Sequence, residues 1–266
     1  MFIHNLDPVL VAFNLFGLNL EVRYYSLAYL LGFFLSVWWL MYWRKRGELN
    51  LTKEEVWDFA FYLIVGVIVG SRLMMVFWQP MTYLSDPLEI FRFWNGGMSF
   101  HGGLIGIISA GLIYCKIKKI KFLSMADLMS VPTLFALAMG RIANFINGEL
   151  VGRITNLPWC VEFQGYFDCR HPSTLYAATK RFIITGWLMF LSFSELRKKF
   201  KPGFLFWNFV FWDGLGRVIL DFFRWDILYL GLSKGQWLSA IMVVVSLYFF
   251  WKYYQEDWKV LLMIKN

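Results

Sequence analysis

Two arginines, two asparagines and a glutamate fall within fourteen residues at the end of an apolar run: Gly140-Arg141-Ile142-Ala143-Asn144-Phe145-Ile146-Asn147-Gly148-Glu149-Leu150-Val151-Gly152-Arg153. On a continuing helix Arg141 and Asn144 share a face, and Gly148 then ends it. A helix cap needs one Asn and one Gly but no arginine inside an apolar run, where a charge costs at least ~2.5–3.5 kcal/mol. A guanidinium in low dielectric is a strong, forked holder of anionic oxygen, and phosphate suits it best. Arg72 and Arg217 also interrupt apolar runs, each six residues from the same end of its run. His101 enters a further run just below that end, within Asn95-Gly96-Gly97-Met98-Ser99-Phe100-His101-Gly102-Gly103-Leu104-Ile105-Gly106. A histidine beside a phosphate-binding cluster is a candidate general base. Gly103 and Gly106 read equally well as helix–helix contacts or as room for a substrate to approach.

Asp213, Arg217 and Asp221 are spaced i, i+4, i+8 and so lie on one helical face, with Arg224 near its top. That face reads as the polar wall of a cavity; the alternative is that Asp and Arg merely neutralise each other to pack the bundle, since Asp213 alone could neutralise Arg217. Lys180 and Arg181 are the two remaining cations inside apolar runs.

The elements that position these groups follow from composition. Of 266 residues, 59% are hydrophobic and 17% charged, with a mean hydropathy of +0.52; soluble domains carry about a quarter charged residues. A helix needs about 20 apolar residues to cross ~30 Å of hydrocarbon. Seven runs qualify: Leu27–Trp43, Trp57–Trp78, Gly97–Cys115, Leu128–Ile146, Ser173–Phe193, Gly203–Phe223 and Trp237–Tyr254. The fifth is weakened by Lys180 and Arg181, so that its outer third reads as interfacial. The expected fold is an all-α integral membrane protein of seven transmembrane helices in one polytopic domain, 1–266. A small external subdomain, 147–172, is inserted between spans four and five, with Trp159–Phe163 as a strand.

Alternate loops set the direction. One set holds fifteen Lys and Arg, from Arg44 through Lys118 and Lys198 to Lys265, and the other holds six. The positive-inside rule then places the N-terminus outside and the C-terminus in the cytoplasm. Arg72, His101, Arg141 and Arg217 thus converge on the outer leaflet, where a phospholipid head group is the available phosphate. The first 24 residues lack a basic start and a small-residue cleavage site, so no cleavable signal peptide is expected. The net charge of +8 resides in short loops beside apolar runs and suits anionic lipid rather than nucleic acid. Cys160 and Cys169 fall in the external segment, either bonded or free, whereas Cys115 reads as a packing residue. Three scattered His without clustered Cys or acidic partners give no metal site.

At these residues the chain resembles the prolipoprotein diacylglyceryl transferase family over nearly its whole length. Gly140–Arg153 matches the family signature almost position for position, and Gly96–Gly103 matches GGMSFHGG. Weaker matches are Arg23-Tyr24-Tyr25, Gly70-Ser71-Arg72, Arg170-His171-Pro172-Ser173 with Leu175-Tyr176, the Arg217/Asp221 pair and Ser233-Lys234-Gly235-Gln236. Asn95 stands where Asp is common, Thr174 where Gln is, Ala177 where Glu is, and Asp221 in place of a Glu. The resemblance implies a multi-pass enzyme of the bacterial inner membrane, active at its outer face and needing no cofactor. It implies transfer of the diacylglyceryl group of phosphatidylglycerol to the lipobox cysteine of a prolipoprotein signal peptide, with glycerol phosphate released. Read with the chemistry above, Arg141 and Arg217 take the lipid phosphate and His101 is the base toward the thiol. Tyr25 is a hydrogen-bonding gate. Asn144, Asn147, Glu149, Gly152, Arg72 and Asp221 complete the substrate-binding set. The rival from another class is a transporter or channel for an anionic solute, with the same arginines along its path.

Overall fold

The computed structural model describes residues 2–15, 18–92 and 96–262; Asn95 and Lys265, named above, lie outside them. The chain is mostly helical and forms two compact units, Val37–Met125 and Met1–Ser36 with Ala126–Asn266.

In the first of these, α2 (Lys53–Trp78) starts with a capping box. Thr52 accepts from the Glu55 N–H, and the Glu55 carboxylate accepts from the Thr52 N–H. The partner helix, counted here as α4 (Phe100–Ile117), follows the short α3 (Pro80–Ser85). Ser99 caps α4 through the Gly102 N–H. Both helices carry a glycine pair four residues apart, Gly66/Gly70 and Gly102/Gly106. A Cβ on Gly70 would strike the Gly102 carbonyl, and one on Gly106 the Gly66 carbonyl. The two backbones therefore touch, which settles Gly106 as a helix-contact residue. Gly103 likewise faces the Ser71 hydroxyl. Tyr114 donates to the Glu55 carbonyl and Lys118 pairs with the Glu55 carboxylate at 2.7 Å, tying the other ends.

The second unit contains the first turns of α1 (Tyr24–Lys45), nearly all of α5 (Phe122–Ile146), then α6 (Ser173–Phe193), α7 (Phe204–Leu220), α8 (Lys234–Tyr253) and α9 (Gln255–Leu262). The orphan N–H groups opening α7 are met from α5. Asp127 accepts from Gly203 and Phe206 at 2.6 and 2.8 Å. α8 starts with a second capping box, Ser233 with Gln236.

Short strands accompany the predominantly helical chain. An antiparallel hairpin, β2 (Val9–Leu15) and β3 (Leu18–Arg23), precedes α1. A second sheet runs β1–β4–β5, joining Phe2–Ile3, Val161–Glu162 and Cys169–Arg170. The expected strand at Trp159–Phe163 is real but shorter. Val151, Val161 and Phe163 are its small core, with Phe145 and Tyr166 against it. His4, on the loop after β1, is buried there with Nε2 2.7 Å from the Phe145 carbonyl. Cys160 and Cys169 are disulfide-bonded and Cys115 is a buried thiol. In denaturant, maleimide labelling without reductant should count one thiol per chain and with reductant three; three in both would contradict the bond.

Among the described residues, α1, α2 and α5 are each long and apolar enough to cross a bilayer, and α8 with α9, bent by 86°, makes a fourth if taken together. Large apolar side chains stand exposed along them, among them Tyr29, Phe61, Phe77 and Val244. A bare surface of this kind needs hydrocarbon against it, which makes this a membrane protein. α6 runs unbroken through Lys180 and Arg181.

Candidate functional site

The polar motif at the end of α5 closes on itself. The helix stops where Gly148 takes φ +68°. The Gly148 N–H donates to the Phe145 carbonyl and the Glu149 N–H to that of Asn144, both at 2.9 Å. This is the glycine termination that reverses a chain at low cost. The reversal brings the Glu149 side chain back over the last turn. Asn144 donates to one carboxylate oxygen at 2.8 Å and Asn147 to the other at 3.0 Å. Arg141, one turn below, donates to Asn144 Oδ1 at 3.4 Å. Four of the expected residues thus form one relay, Arg141–Asn144–Glu149–Asn147. With its amide oriented from both sides, Asn144 cannot rotate without losing a bond.

Arg141 and Arg217 line one cavity, with Lys180, Arg181, Asp221 and Arg224 in its wall. Arg217, on α7, is held by Asp221 four residues on, Nε to Oδ2 at 3.4 Å. The Ser233 hydroxyl reaches the same oxygen at 3.4 Å. A side chain on Gly235 would collide with the Arg217 guanidinium and the Asp221 carboxylate. That is the physical reason for glycine in the Ser233–Gln236 segment.

Asp213 does not pair with Arg217. Asp213 turns to α6, accepting from Lys180 Nζ at 2.7 Å and from Arg181 Nε at 2.9 Å. Two cations share one carboxylate, all three side chains nearly fully buried. Desolvation forces this choice, because α6 has no acid of its own beside Lys180 and Arg181.

Gly152 has a packing role. Its N–H donates to the His171 carbonyl at 3.1 Å, and a side chain there would strike His171 and the Phe223 carbonyl. Arg170 completes the joint, donating to the Gly152 carbonyl at 3.2 Å. His171, packed on Phe223 and 3.2 Å from the Tyr176 hydroxyl, is held below the usual imidazole range by burial. Tyr25 stands in the first turn of α1, half-buried, and receives the Tyr29 hydroxyl at 3.5 Å.

In the other unit Arg72 is buried. It donates to the Tyr83 hydroxyl at 3.1 Å and to the carbonyls of Gly97 and Arg92 at 3.2 and 2.7 Å. It therefore anchors the segment that leads into α4. His101 lies in the first turn of α4, exposed, its ring 6.1 Å from that of Trp78.

A family model for prolipoprotein diacylglyceryl transferase matches residues 10–252. The chain belongs to that family. Curated relatives named phosphatidylglycerol–prolipoprotein diacylglyceryl transferase include that of Geobacter sulfurreducens, 40% identical over 91% of this chain and 94% of its own length. Those of Roseobacter denitrificans and Aeromonas salmonicida are 37% and 38% identical over 92% and 94% of this chain, and 94% and 91% of their own lengths. For a transferase of this family, the cavity contributes more cations than the sequence motifs alone indicated. Arg181 and Lys180 had read as interruptions of a span. The available signal was that both sit where an apolar helix tolerates charge only against a buried acid.

Proposed function

We propose that the chain transfers the diacylglyceryl group of phosphatidylglycerol to the lipobox cysteine thiol of a prolipoprotein signal peptide, the first step of lipoprotein lipidation. The observation that carries this reading is the single cavity shared by Arg141 and Arg217 in a chain of this family. A carbon–sulfur bond forms at the glyceryl carbon as its bond to the phosphate oxygen breaks. Glycerol phosphate leaves with the electron pair. Charge growing on that phosphate is what two preorganised guanidiniums stabilise. The Asn144–Glu149–Asn147 relay holds Arg141's neighbour fixed, and Asp221 holds Arg217, so neither needs to reorganise as charge develops.

The thiol, with a free pKa near ~8.5, must lose its proton to attack. His101 is the base in this reading, exposed at the start of α4. Tyr25 gates the site, Asn147 and Asp221 orient groups already in contact with Glu149 and Arg217, Gly152 shapes its surroundings, and Arg72 holds the segment that leads to His101. Seven spans, an outward N-terminus and an outer-leaflet site in the bacterial inner membrane complete the proposal. They are supported by the loop-charge asymmetry and by a helix at each of the seven apolar runs. The transporter reading is not favoured, since the relatives are transferases by name.

Purified protein in lipid, given phosphatidylglycerol with a labelled diacylglyceryl group and a lipobox peptide, should label the peptide through a thioether. Solute flux without labelling would refute the proposal. In the same assay His101→Gln should lower the rate ~10²–10⁴-fold near neutral pH. An undiminished rate would take His101 out of the chemistry.

A further inference from the structure

Three buried donors on residues lining the cavity make no hydrogen bond among the described residues: Arg181 Nη1, Thr174 Oγ1 and Arg224 Nε, of which Arg224 Nε still lies 3.1 Å from the Asp226 carboxylate. Arg181 is 5% exposed and Thr174 3% exposed, and both line the cavity that holds Arg141 and Arg217. Buried donors are almost always paired, so two around one hollow indicate an acceptor that occupies it.

The geometry of Arg181 explains which face is left over. Nε donates to Asp213 Oδ1 at 2.9 Å and Nη2 to Oδ2 at 3.3 Å, a two-pronged grip that locks the guanidinium plane. Lys180 holds the same carboxylate at 2.7 Å and the Asp213 carbonyl at 3.0 Å. Nη1 alone has no partner. With two cations on one carboxylate, the cluster keeps a surplus positive charge beside the cavity, and a buried surplus of this kind calls for an anion. Thr174, seven residues or about two helical turns earlier on α6, adds a neutral donor at the same wall; Ala177 between them fills little space.

We propose that Arg181 Nη1 and Thr174 Oγ1 are two further donors to the phosphate oxygens of the phosphatidylglycerol head group, and that Asp213 and Lys180 are positioning residues for Arg181. This rests on the head-group reading above. Four donors from α5, α6 and α7 then surround one phosphate: Arg141, Arg217, Arg181 and Thr174. No covalent step is added. The two new donors fix the phosphate while the carbon–oxygen bond breaks.

The test is steady-state kinetics of transfer with the two substrates varied separately. Thr174→Val keeps shape and removes only the hydroxyl; it should raise KM for phosphatidylglycerol by ~10-fold, with KM for the lipobox peptide unchanged. Thr174→Ser should restore the wild-type value. Arg181→Met leaves Lys180 and Asp213 as a balanced pair and should raise the lipid KM by ~30-fold or more. Glycerol phosphate tests the phosphate alone, without acyl chains: its inhibition should weaken in step with the lipid KM in both variants.

Lipid KM values within twofold of an active wild type would overturn the proposal and leave the head-group reading standing. So would a parallel rise in both substrates' KM, the mark of a merely structural effect, or a loss of glycerol phosphate inhibition with an unmoved lipid KM. A wild-type protein that transfers no lipid would remove the head-group reading itself, and this inference with it. Should Arg181→Met fail to accumulate, the isosteric Thr174→Val decides alone.

Discussion

Replacing Arg141 with glutamine should lower diacylglyceryl transfer by ~10²–10³-fold, the usual effect of losing one preorganised donor to a developing anion. The substitution keeps the length of most of the side chain and its polarity. Asn144 and Glu149 keep their own bond at 2.8 Å, and Gly148 still terminates α5. The protein should therefore purify in normal yield with a normal unfolding midpoint. Arg141→Lys should recover little, because an ammonium supplies a point charge where a fork is needed. Activity should be read against Arg141→Gln in the same lipid mixture, with lipid varied above KM. A rate within tenfold of wild type would mean that Arg141 serves only to hold Asn144.

The second large effect is on stability. Asp213→Asn should destabilise the protein by about 3–5 kcal/mol, the range for removing one partner of a buried charge cluster. Lys180 and Arg181 would then be two buried cations without a carboxylate. The polar contact that Asn can still offer replaces neither charge. The readout is the unfolding midpoint in detergent, followed by tryptophan fluorescence, with the yield of folded protein beside it. Adding Lys180→Leu and Arg181→Leu to an Asp213→Leu variant should restore most of the lost stability while leaving lipid KM raised. An unshifted midpoint for Asp213→Asn would show that water reaches the cluster and that its burial is illusory.

These two predictions draw on different levels of what the sequence made legible. The Arg141 relay was readable because its contacts are local. Three residues separate Arg141 from Asn144, five separate Asn144 from Glu149, and a left-handed glycine between them fixes the reversal. The Arg217/Asp221 pair was readable for the same reason, at four residues on one face. The partners of Asp213 were not legible, because they stand on another helix. Which faces of α6 and α7 meet depends on the rotation of two helices about their axes, and no spacing within one helix encodes it. A bare count would have helped, since three cations on α6 and α7 face two aspartates there, and Lys180 and Arg181 cannot stay unpaired.

Gly152 entered the substrate-binding set through the family resemblance; the approach it permits is by backbone, from His171 and Phe223. In the hairpin of β2 and β3, β2 is apolar on both faces and in a chain this hydrophobic such a run merges with the spans, whereas β3 alternates Leu18, Leu20 and Val22 with Asn19, Glu21 and Arg23 and carried a strand signal that was passed over. The same composition made the helices easy to place. Each of the seven apolar runs lies on a helix, with ends shifted by a few residues where caps such as Thr52 and Ser233 set the boundary.

The central claim is that one lipid phosphate sits between Arg141 and Arg217. A structure of the protein in nanodiscs of phosphatidylglycerol, at a resolution that shows head groups, tests it most directly. The account predicts a phosphate within hydrogen-bonding distance of both guanidiniums, with the acyl chains leading away into the bilayer. A head group bound elsewhere, with the cavity between Arg141 and Arg217 holding only water, would contradict it.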